Sequence, residues 1–173
     1  MNNYQGIPML NGFAAEQILF NLLNNSSKIK GFKIPSSEEL IKIASNCQLG
    51  RQRIKSAQPH IIKEYGIDYR NSQTSQLTRV IDWKLVPSSV ILDYIFGIDA
   101  VVNILGFVIA IDVTANPNAI EDKQLKLTKL KTLWKQIGID QACVCYVNNA
   151  NSTNLWQSLK SVTKQSQVIA FSL

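Results

Sequence analysis

The stretch GIDAVVNILGFVIAIDVTANPNAI, Gly97 to Ile120, decides how this chain is read. Ile98 to Ile104 and Phe107 to Thr114 are runs rich in β-branched residues. Leu105-Gly106 lies between them as a tight turn, so the pattern predicts a hairpin. Past the turn at Ala115 to Asn118 the period changes. Ile120, Leu127, Leu130, Trp134 and Ile137 recur at helical spacing, with Lys123, Lys126, Lys129, Lys131 and Lys135 on the other surfaces, until Gly138 closes the helix. ACVCYV, residues 142 to 147, then suits a buried parallel strand. A helix over 152 to 163 and a strand from Val168 to Phe171 complete the second half.

Working back toward the N-terminus, Val90 to Ile95 reads as a further strand. The order strand, strand, strand, helix, strand, helix, strand predicts an α/β fold with a mixed central β-sheet flanked by helices. In the first half, Phe13, Ile18, Leu19, Leu22 and Leu23 form one helical stripe over 12 to 23, entered at Gly12. Phe32 to Ile34 reads as a short extended piece, and a new helix begins after Ser36 or Ser37. Leu40 to Ala57 suits two short helices joined near Asn46 to Gly50, with Pro59 disturbing the second. This spacing is that of a helix-turn-helix, which makes Arg51, Arg53 and Lys55 the candidate DNA-binding residues. From Tyr65 to Val86 the pattern is irregular and predicts loops or short helices.

A length of 173 residues suits a single domain, with a basic, mostly helical part over about 1–86 and an αβ core over about 87–173. No stretch is apolar for long enough to span a membrane, and MNNYQGIPML lacks the basic start and apolar run of a signal peptide, so a cytoplasmic protein is expected. With one histidine, His60, neither a Cys/His zinc site nor a histidine-centred triad is expected. Cys47, Cys143 and Cys145 are read as free buried thiols, the last two assigned to opposite faces of one strand. Charge is unevenly distributed: residues 28 to 84 carry eleven Lys and Arg against five Asp and Glu, while 85 to 120 carry Asp93, Asp99 and Asp112 and no basic residue. A basic surface beside an acidic, otherwise apolar segment predicts phosphate binding around a cation pocket.

Asp99 and Asp112 are the candidates for that pocket. Each lies in an apolar run where an unpaired carboxylate costs several kcal/mol, and antiparallel pairing brings the two near each other. Mg²⁺ takes hard oxygens from one or two carboxylates, water and phosphate. An acid opening a hairpin, then apolar-apolar-Asp-x-x ending the next strand, then a helix and an apolar strand, resembles the PD-(D/E)XK nuclease core over roughly residues 88 to 150. That resemblance implies a restriction-endonuclease-like fold and a metal-dependent endonuclease hydrolysing DNA phosphodiester bonds. It further implies Mg²⁺, or Mn²⁺, held by Asp99, Asp112 and the Val113 carbonyl, with Glu16 assisting from the N-terminal helix; many such enzymes act as homodimers.

Two positions depart from the pattern. Ile98 replaces the proline, and Thr114 stands where the lysine belongs. Threonine cannot orient or deprotonate water at neutral pH, so the expected replacement is Lys123 or Lys126 from the following helix, with Gln124 on its inward face. The alternative is a non-catalytic DNA-binding or regulatory protein that kept the fold and lost the lysine.

Overall fold

The computed structural model describes residues 11–148 and 154–173. Its centre is β5 (Phe107–Thr114), buried along all but its first residue. β5 pairs antiparallel with β4 (Ala100–Ile104) and parallel with β6 (Gln141–Tyr146). β7 (Ile169–Ser172) adds parallel to β6, and β1 (Lys30–Gly31) pairs antiparallel with β4, giving the order β1-β4-β5-β6-β7. The turn between β4 and β5 places Leu105 and Gly106 at φ 54° and 90°, positive at both central positions as in a type I′ hairpin loop.

Alternation along the strands divides the core in two. Val108 and Ala110 of β5, with Ala142 and Val144 of β6, face α2 (Ser37–Ser45), α3 (Gln48–Tyr65), α5 (Ile120–Lys129) and α6 (Lys131–Lys135). Ile109, Ile111 and Val113, with Cys143 and Cys145, face α1 (Gly12–Asn24) and α7 (Leu155–Val162). Cys143 and Cys145 therefore share one face, correcting their assignment to opposite faces: residues two apart on a strand point the same way. Both are buried, and burial pushes the Cys145 thiol up to about 12. The first half of the chain is interleaved with the sheet, since β1 is its edge strand and α1 packs on β5.

Several other expectations are corrected. Val90 to Ile95 is helical: α4 (Ser88–Ile91) runs into a π-helical turn, Leu92–Phe96, which ends at Gly97 with φ 68°. A continuous apolar run does not distinguish strand from buried helix, and Pro87 before it and Gly97 behind it supply helix-boundary geometry. Tyr65 to Val86 holds a hairpin, β2 (Gly66–Arg70) against β3 (Leu77–Ile81). Its strands are exposed on nearly every residue, so no alternation marked them. The extended piece near Phe32 falls at Lys30–Gly31. Phe13 is exposed, and Ala15 takes its place beside Leu19 in the core. Asn11 rather than Gly12 caps α1, accepting the Ala14 N–H. The helix over 120 to 137 is broken at Leu130 into α5 and α6. The expected start of the last helix, 152, lies outside the described residues.

The two helices of the basic segment differ from the short pair predicted. Ser36 caps α2 in a reciprocal box with Glu39. α3 runs 18 residues straight through Pro59, because Pro59 is exposed while Ala57 and Ile61 anchor the helix to the core on either side. α2 and α3 approach closely at Gly50, where a Cβ would meet the Ala44 carbonyl oxygen at 2.0 Å. Among the described residues no helix is long and apolar enough to cross a membrane.

Candidate active site

Asp112 lies near the end of β5, on the face that α5 covers, with its side chain 1% exposed. Its burial follows from the strand itself: β5 has neighbours on both edges and helices on both faces. Two lysines compensate it. Lys123 donates from Nζ to Asp112 Oδ1, and the Lys126 ammonium lies against Oδ2. Three residues apart on α5, both lysines project from one face of the helix, and β5 feeds directly into that helix through a 3-10 turn, Pro117–Ala119.

Thr114, the position that the resemblance would assign to a lysine, builds that turn. Its hydroxyl accepts the Asn116 N–H at 3.1 Å and donates to the Asn116 carbonyl at 3.2 Å, a local side-chain-to-backbone closure that favours turns over continued strand. Thr114 thus helps aim the chain into the helix that carries Lys123 and Lys126.

Asp99 enters β4 next to the register pair Ala100↔Ile111. Its N–H donates to the Ile111 carbonyl and its Oδ2 accepts the Val113 N–H at 2.7 Å, so its contacts bracket Asp112 along β5. Burial raises the Asp99 carboxyl to about 7, the Val113 N–H opposes that rise, and the Asp112 charge adds to it. An open cleft of about 610 Å³ unites Glu16 of α1, Asp93, Asp99, Val113, Thr114 and Lys123. Glu16 is raised by burial and then by Asp93, while Lys123 acts against the shift.

Sequence reasoning named Glu16, Asp99, Asp112, Val113, Lys123 and Lys126, and the fold brings these together. It missed Asp93, which the π-helical turn places at the same cleft. Burial raises its pKa; the Lys126 ammonium opposes that most strongly, and Asp112 adds to it. The available signal was an acid within SSVILDYIF, hidden by reading that run as strand. Gln124 is held elsewhere: its Nε2 donates to the Val168 carbonyl at the start of β7. Arg51 donates to the Ser45 carbonyl, and Arg53 donates to the Ile95 and Tyr94 carbonyls at 3.1 and 2.6 Å, fixing α3 to the π-helical turn. Only Lys55 of that trio has no such structural tie among the bonds of the described residues, and it is exposed.

Four carboxyl groups, Glu16, Asp93, Asp99 and Asp112, thus face two ammonium groups. With all six ionised, two negative charges remain, a deficit that either protons or one divalent ion would balance. Among the described residues no three His, Cys, Asp or Glu side chains are arranged to close on a metal by themselves. Asp99 and Asp112 with a main-chain carbonyl would form a partial oxygen shell, which suits an ion that keeps water and phosphate in its other positions. Comparison of the chain with protein-family models, curated proteins and solved structures gave no match.

Proposed function

We propose that this cleft is the active centre of a metal-dependent endonuclease acting on DNA phosphodiester bonds, in which Lys123 takes the part of the lysine lost at Thr114. The observation that carries this reading is Lys123, which lines the cleft with Glu16 and Asp99 and donates from its ammonium to the buried Asp112. Asp99 and Asp112 would hold Mg²⁺ or Mn²⁺, with the Val113 carbonyl beside them. The ion, when bound, supplies Lewis acidity toward the phosphate and a more acidic water. Lys123 would orient that water and counter the charge growing on the phosphate. Glu16, raised by burial, would accept or relay a proton at the cleft's α1 wall. The DNA backbone would be held by the basic surface, including Lys55.

Plasmid cleavage in Mg²⁺ or Mn²⁺ tests this. Asp112→Asn and Lys123→Met should each lower the rate by about 10² or more, with DNA affinity retained. Absence of cleavage by the unaltered chain alongside salt-sensitive DNA binding would instead favour a non-catalytic DNA-binding role. Both Asp112 oxygens already having ammonium partners is the feature that suits this second reading.

A further inference from the structure

Asp99 borders two hollows. On one side lies the cleft with Glu16 and Lys123, and on the other a recess of about 440 Å³ at the outer edge of β4, walled by Phe20 and Leu23 of α1, Ile34 and Ser89. The recess exists because β1 is short. Its pairing with β4 ends at Gly31↔Val102, so Ala100 and Val101 line the recess with no strand paired to that edge among the described residues. The chain beyond β1 is drawn off toward α4 instead: the Ser88 hydroxyl donates to the Pro35 carbonyl at 3.1 Å, and the Ser37 hydroxyl to the Val86 carbonyl at 2.5 Å. An unpaired strand edge offers main-chain N–H and C=O groups, here beside apolar walls, and the exposed Lys30 also lines the recess.

We infer that this recess takes one unpaired nucleobase of the strand being cut, so that the substrate class is DNA with an unstacked nucleotide beside the scissile phosphate rather than continuous duplex. The inference rests on the nuclease reading of the cleft and names its substrate. Size and position select the occupant. A strand added to β4 would have only Ala100 and Val101 to pair with, about 7 Å at roughly 3.3 Å per residue, before it met β1. Strands ordinarily run about five or six residues, so a peptide does not fit. A base is compact, with a face that packs on Phe20, Leu23 and Ile34 and an edge of donors and acceptors that main-chain groups match. A phosphate held at Asp99 in the cleft would carry its own base to the recess across that one side chain, and Lys30 would meet the neighbouring phosphate. A base still paired in a duplex cannot make that crossing, and extruding it costs least where it is already unpaired.

Binding to two fluorescein-labelled hairpin DNAs tests this, one fully paired and one with a single unpaired 2-aminopurine, with Ca²⁺ supplied as the oxygen-seeking cation. The parent should bind the second about tenfold more tightly, and the 2-aminopurine should become shielded from acrylamide quenching. Ser89→Trp, which fills the recess from an exposed position on α4, should remove both effects, whereas Ser89→Ala should keep both. Lys55→Ala should weaken the two DNAs alike, which separates a lost backbone contact from a lost base site. Cooperative melting of each variant checks folding. Equal affinity of the parent for the two DNAs, or selectivity and shielding that survive Ser89→Trp, would overturn the base site, while plasmid cleavage in Mg²⁺ would leave the nuclease reading standing. Absence of binding to either DNA, together with absence of plasmid cleavage, would remove both.

Discussion

Removing both lysines from Asp112 is the sharpest perturbation of this architecture. The carboxylate is 1% exposed, whereas Lys123 and Lys126 are 27% and 35% exposed, so the desolvation burden rests on the acid. With one lysine gone the other still neutralises it, and Lys123→Met or Lys126→Met should each cost about 1–2 kcal/mol, the range of a hydrogen bond to a charged group moderated by partial exposure. With both gone an uncompensated charge is left inside the sheet, and the loss should reach about 3–5 kcal/mol. The pair is thus non-additive, because the second deletion removes the last countercharge. For a chain of this size about 1 kcal/mol moves the melting temperature by roughly 2–4 °C, so the double variant should melt about 6–20 °C lower, or fold only at low pH. Adding Asp112→Asn to it deletes the charge with little change in shape and should restore most of the loss. Thermal melts of the four variants in chelator at neutral pH provide the measurement. A double variant melting within about 2 °C of the parent, or a triple variant no more stable than the double, would refute the claim that the lysines compensate Asp112.

Further outcomes follow from the burial and contacts of individual side chains. Asp99 is raised to about 7 in the folded chain from 3.8, so between these values the folded state binds more protons than the unfolded one. Metal-free stability should therefore fall as pH rises from about 4 to about 7 and level off above, with Glu16 and Asp93 acting in the same direction. Asp99→Asn, which can still accept the Val113 N–H, should remove about 1–2 kcal/mol of that fall after allowing for solvent screening; urea unfolding at pH 5 and 7.5 would show an unchanged slope if burial of this carboxyl is not the cause. Arg53→Ala should lower stability by about 1–3 kcal/mol through two lost carbonyl contacts, whereas Lys55→Ala should leave the urea midpoint unchanged and, under the proposed DNA-binding reading, weaken DNA binding and flatten its salt dependence, read by titration at two ionic strengths.

The sheet was legible because its strands are buried by rule. β4, β5 and β6 carry β-branched apolar runs bounded by turn residues, and the β5–α5 junction shows a change to helical period within a few residues. The β2–β3 ribbon was illegible for the converse reason. Periodicity reports which face is hidden, and a ribbon exposed on both faces writes none. Val90 to Ile95 sits between these cases: its burial was plain and its conformation was not, since all-round burial erases the period that separates helix from strand. That misreading also concealed Asp93, because its approach to the cleft depends on the π-helical turn.

The candidate site shows a similar division. Asp99 and Asp112 stood out as charges in apolar runs, and their mutual approach followed from hairpin register. The means of compensating them did not. Sequence pattern suggested that two carboxylates require a shared cation, whereas the structure supplies two ammoniums to one of them and a main-chain N–H to the other. These are not competing solutions. Lysines on the helix after β5 compensate Asp112 without metal, and the remaining acids, Glu16, Asp93 and Asp99, are raised by burial. Thr114 makes this arrangement coherent: a lysine on the strand at that position would give up the hydroxyl that closes the turn into α5. That turn leads into the helix that carries both ammoniums, so placing lysine at 114 would disturb the route by which Lys123 reaches Asp112 before it could add a second ammonium to the cleft.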